Sequence, residues 1–192
     1  MAGRLGPLEF EQFVETQIRC RWALADRVAL LRAYRFSTVL GSVIQLDHEV
    51  EACTLAEDLR AGSRRNGMAF LTAHTRLSSP GASEYRQLVL EKSTPGHLAV
   101  VQGLIWQRLG LEEETVAVIS GYQAVVSTAT AAVRLGLIGV MDAQAAITRL
   151  LPVIREVSSV PIADDEPLSS FIPLTEIALA LHRASGQRLF SN

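Results

Sequence analysis

The chain has 192 residues, of which 48% are hydrophobic and 20% charged. That is the size and composition of one folded domain with a sizeable core, and it excludes intrinsic disorder. A formal net charge of −2 leaves no electrostatic footprint for nucleic acid, while a mean hydropathy of +0.22 points to apolar surface that a partner covers.

Helical periodicity runs almost throughout, and strand alternation is nearly absent. Pro7 suits the first turn of a helix whose Phe10, Phe13, Val14 and Ile18 line one side. Asp26 is placed to cap a second helix reaching Phe36, with Val28, Leu31 and Arg35 on one face. Ser37 or Thr38 caps a third, striped by Val39, Val43, Leu46 and Val50. A fourth spans residues 55–77, with Leu55, Leu59 and Phe70 facing in and Arg64-Arg65 on a solvated face.

After the loop at 78–82, Ser83 caps a short helix, and Thr94-Pro95-Gly96-His97 makes a second break. The stretch to Leu109 is apolar almost all round, as a deeply buried helix is, and Gly110 ends it. Next comes a run of nineteen residues, Thr115 to Val133, without a formal charge. Polar interruptions (Ser120, Tyr122, Gln123, Ser127) argue against a membrane span, since each needs a partner in hydrocarbon. Small residues at 117, 121, 124, 128 and 131 give it a stripe for close packing, so it is read as a central helix buried on nearly all sides.

Asp142 then caps a helix that Pro152 kinks. Residues 158–170 form an acidic, proline-bearing surface loop. A last helix opens near Pro173 with Leu174, Ile177 and Leu181 facing in, and residues 186–192 are a C-terminal tail. The expected fold is all-α: a single compact domain over 1–192, of about eight to ten helices around a buried central helix.

No catalytic constellation emerges. The histidines, His48, His74, His97 and His182, lack helical spacing from one another, and no H-E-x-x-H, C-x-x-C, phosphate loop or nucleophile elbow occurs. No catalytic residue, metal site or tightly bound cofactor is expected. Residues 1–20 show neither an apolar h-region nor a small-residue cleavage site, so the expected compartment is the reducing cytoplasm, with Cys20 and Cys53 as free, buried thiols. Two segments ask for more. Arg134 either complements the dipole of the helix it ends or faces a partner. Leu189 and Phe190, at a terminus that would ordinarily fray, either dock on the core or anchor a partner.

These two segments resemble the urease accessory protein UreF family. Arg134-Leu-Gly-Leu-Ile-Gly-Val-Met-Asp142-Ala-Gln144 is similar to that family's Arg-Leu-Gly-Pro-Leu-Gly-Gln-Thr-Asp-Gly-Gln connector, and Tyr122 and Ala131-Ala-Val-Arg134-Leu match what precedes it. His97-Leu-Ala-Val100 with Gly103 resembles the family's His-Tyr-Pro-Val opening; Pro173-Leu174, His182-Arg183 and Arg188-Leu189-Phe190 resemble its tail. The departures are Leu137 for proline, Val140 for glutamine, Ala143 for glycine and Arg183 for glutamate. The family's Gly-Gly-Phe-Ser opening is also missing, as in a short or N-terminally truncated, divergent member.

The resemblance implies an all-α homodimer that is not an enzyme. It would bridge UreD (also called UreH) to the GTPase UreG, and the assembled complex would handle nickel and insert it into apo-urease. It also implies partner-binding roles for Tyr122, Arg134, Asp142, Gln144, His182, Arg188, Leu189 and Phe190. The competing reading is an all-helical small-molecule binder or enzyme, whose apolar pocket near the central helix gathers Tyr122, Gln123 and His97.

Overall fold

From Pro7 to Arg35 the chain is one unbroken helical run, because no glycine or further proline interrupts it. The computed structural model describes residues 5–173, 175–178 and 181. Within the run, α1 (Pro7–Gln17) passes into a π-helical segment (Ile18–Asp26) and then α2 (Arg27–Arg35). There follow α3 (Leu40–Cys53), α4 (Glu57–Arg76), α5 (Ala82–Leu90), α6 (Leu98–Arg108), α7 (Glu113–Arg134) and α8 (Val140–Ser158). Among the described residues there is no strand.

Two hydrophobic clusters form the interior. One gathers α2 to α6 and the first turns of α7, around Leu30, Leu71, Tyr85 and Leu104. The other gathers α1, the π segment, the rest of α7 and α8, around Phe10, Trp22, Leu150 and Ile154. The deeply buried helix is α6, in which every residue from Ala99 to Trp106 is buried. It lies so close to α2 that a methyl group on Gly103 would run into the Leu30 carbonyl oxygen.

The uncharged run is the main correction to the expected packing. α7 is long and apolar enough to cross a membrane, but only 39% of its apolar window is buried. Its contact line is Ala117, Gly121, Val125, Ala129 and Ala132, not the stripe that ends at Ala131, which is exposed. Gly121 is needed there, since a Cβ would stand 2.8 Å from Ile154 of α8 and 3.0 Å from the Trp22 ring.

Several expected caps fail. Asp26 lies inside the continuous run, and its carboxyl takes a 3.3 Å bond from Arg21 Nε instead of a backbone donor. Val39 rather than Ser37 or Thr38 stands at the start of α3, and Gly81, at φ 79, rather than Ser83 at the start of α5. Gly139 precedes α8, which leaves Asp142 in the first turn, where a negative charge still complements the helix dipole. Phe13 (46%), Leu55 (77%), Ile177 (56%) and Leu181 (66%) are exposed rather than inward. Leu174 lies outside the described residues. Cys53 is exposed and Cys20 half-buried, so neither thiol is in the core.

The acidic loop after α8 is on the surface yet fastened by arginines of α2. Arg27 donates to the Val160 carbonyl at 2.7 Å, Arg35 to Ile162 at 3.1 Å and Arg32 to Glu166 at 3.3 Å. Beyond it, Ser169 and Phe171 donate backbone bonds to the carbonyls of Leu24 and Cys20 in the π segment, at 3.0 and 2.9 Å. Ile172 is buried next to them.

Candidate functional site

From Thr115 onward α7 presents a long face to solvent that carries no charge until Arg134. Tyr122 is 43% exposed, and Thr115, Gln123, Ser127, Thr130 and Ala131 are exposed with it. Gln123 is held by Gln102 of α6, whose Nε2 donates to it at 2.7 Å. One turn away on the buried side, Ser120 accepts the Trp22 indole N–H at 3.1 Å. A cleft of about 320 Å³ opens beside these groups, lined among others by Trp22, Asn66, Gln102, Gln123 and Ser127.

At its C-terminal end α7 turns through Gly136, at φ 71, into the connector. Arg134, Asp142 and Gln144 are all exposed there. Val140 (67%) and Met141 (80%) are exposed beside them, and the Leu5 N–H ties the start of the chain to the Leu137 carbonyl at 2.9 Å. The connector residues therefore form one local surface. Tyr122 stands apart from it, twelve residues before Arg134, about 18 Å along the helix and a third of a turn round. His182, Arg188, Leu189 and Phe190 lie outside the described residues.

His97 does not share a pocket with Tyr122. It is fully buried, its Nε2 lies 2.8 Å from Glu51 Oε2, and its Nδ1 has no partner. Around it is the polar centre that the sequence reading missed. Asp47 of α3, also fully buried, accepts from Tyr85 O–H at 3.0 Å, Thr94 O–H at 2.5 Å, Gly96 N–H at 2.6 Å and His97 N–H at 2.9 Å. The last two are donors at the start of α6, so one carboxyl caps the buried helix from a neighbouring one. Burial pushes the Tyr85 phenol well above its ordinary value, and the nearby Asp47 adds to the rise. The signal was present: Asp47 falls on the apolar stripe of Val43, Leu46 and Val50, where a carboxyl must find donors.

Glu51 extends this centre to the α3–α4 corner. Arg64 bonds it at 2.5 Å and Glu57 at 2.7 Å, and Arg60 holds Glu57 and the Thr54 carbonyl. The group is a structural knot in which Arg60 and Arg64 meet the Glu51 and Glu57 carboxylates and uncharged donors hold Asp47. Among the described residues no three His, Cys, Asp or Glu side chains are disposed to hold a metal.

The urease accessory protein UreF of Actinobacillus pleuropneumoniae serotype 3 is 31% identical over 137 residues, 70% of this chain. The chain thus spans 60% of that relative's length. The UreF proteins of Bacillus sp. (strain TB-90) and Kocuria rhizophila are 27% and 32% identical over 94% of the chain, covering 82% and 78% of their own lengths. The UreF family model matches residues 6–151, from the turn before α1 into α8. The chain belongs to the UreF family.

Proposed function

We propose that this chain is a non-catalytic adaptor of urease maturation, working in the cytoplasm as a homodimer. It bridges UreD (or UreH) to the GTPase UreG, and the assembled complex inserts nickel into apo-urease. Nickel is cargo here, and no tightly bound cofactor is needed. Family membership supports the urease setting. The observation that carries the adaptor reading is α7, a 22-residue helix with an uncharged face left open to solvent. A second copy laid against Tyr122 and its neighbours buries that face without stranding a charge. Arg134, Asp142 and Gln144 offer a separate polar surface at the connector, and His182 and Arg188-Leu189-Phe190 are the proposed contact to UreD.

The small-molecule reading is less well supported. The cleft beside α7 includes Gln123 but neither Tyr122 nor His97, so the three groups do not converge on one ligand.

The test is complementation of a urease-positive strain that lacks its own UreF. Urease activity should return, and a folded variant lacking residues 188–192 should lose both that activity and co-purification with UreD. A folded chain that restores no activity would reject the urease role; undiminished UreD binding by the shortened form would reject the tail contact.

A further inference from the structure

A second cavity, of about 320 Å³, lies where the first turn of α7 meets the end of α8 and the acidic loop. Leu31, Ala117, Pro161 and Ile162 give it apolar walls. Arg35, Glu113 and Glu114 are the charged residues of its lining. Glu113 is matched by Arg35, which donates to its two oxygens at 2.6 and 3.1 Å. Glu114 is exposed and makes no ion pair among the described residues. Ser158 lines the same cavity at 8% exposure, and its Oγ has no hydrogen-bond partner.

The rim continues the same charge. Glu112, Asp164 and Asp165 are exposed on the elements that bound the cavity. Most of the nearby cations are engaged: Arg35 by Glu113 and Asp164, Arg32 by Glu49, and Arg27 by the Val160 carbonyl, while Arg155 is exposed one turn before Ser158 on α8. Acids still outnumber bases around the cavity, so an anion is disfavoured, whereas a cation finds Glu114, an unused serine oxygen and an acidic rim.

We propose that this cavity receives a basic side chain, lysine or arginine, presented by a partner protein. The methylene stem of such a side chain lies along the apolar walls, as long cationic residues do elsewhere. Its charged head reaches Glu114 and donates one bond to Ser158 Oγ. A protein fits better than a free amine because the rim carboxylates extend past the cavity, where only a broad basic surface can meet them and be steered by them. The assignment is independent of which partners assemble on α7, since it concerns only the charge of whatever docks beside α2.

Acetyl-pentalysine amide added to the isotope-labelled full chain provides the test. At low salt the shifted amides should centre on Ala117, Ser158 and Ile162, and Glu114→Gln should weaken binding about tenfold. Glu91→Gln removes an exposed acid just after α5 and should change the affinity less than about twofold. Unshifted amides elsewhere in both variants verify the fold. Shifts spread evenly over acidic surface, or equal weakening by the two substitutions, would overturn the pocket.

Discussion

Removing the Asp47 carboxyl would take the acceptor from four donors at once and orphan three, since of the Tyr85 and Thr94 hydroxyls, 3.1 Å apart, one can still donate to the other, while the Gly96 and His97 N–H groups before the buried helix cannot. None can turn to water, because Tyr85, Thr94 and His97 are themselves buried. Asp47→Ala should therefore cost roughly 3–5 kcal/mol, the range for breaking a buried charged network on one side. Equilibrium denaturation in urea reads this directly, and a loss below about 1 kcal/mol would mean that the network is not a structural centre. At this scale the sequence was partly legible. Residues of the expected stripes such as Val14, Val28, Leu31 and Leu46 are buried where periodicity put them. Phe13 and Leu55 are not, because a stripe marks a side of a helix but not how far a neighbour covers it.

Helix α6 was readable as buried because an all-round apolar segment has no face fit for water, and Gly103 is the condition of its closeness to α2. Gly103→Ala forces the helices apart against rigid backbone. It should destabilise the protein by about 1–3 kcal/mol although alanine is the better helix former, and a lowered urea midpoint at unchanged slope is the expected record. α7 was misread for an instructive reason. A stripe of small residues was taken to mean neighbours on nearly all sides, but its exposed side is made of tyrosine, serine, threonine, glutamine and alanine, which tolerate water without carrying charge. Asp26 failed as a boundary because a helix-favouring run with no breaker continues through it, widening to a π register instead of stopping. Nothing in residue spacing announces that change of register.

Across the molecule, acid should act in two stages. Burial holds His74 below its ordinary value of 6.5, with the Phe70 ring 4.2 Å away. As pH falls through 6.5 the unfolded chain takes up this proton before the folded one does, so stability is full above that pH and declines below it. Arg60 and Arg19 hold the Glu57 and Glu156 carboxyls below their usual 4.5. Their contribution persists above 4.5 and is lost on further acidification. Thermal midpoints measured across pH should show both declines. In His74→Gln the first should flatten and the second remain; an unchanged first decline would assign it to another group.

The π segment has a consequence in the order of synthesis. Its Cys20 and Leu24 carbonyls leave the ribosome well before the Phe171 and Ser169 amides that dock on them, with the whole of α2 to α8 made in between. The run from α1 into the π segment is thus a template for nearly the last described stretch to settle, and the second interior cluster closes only when α8 has emerged. A nascent chain halted before α8 holds α1 with its buried side uncovered, and must be kept from association until α8 arrives.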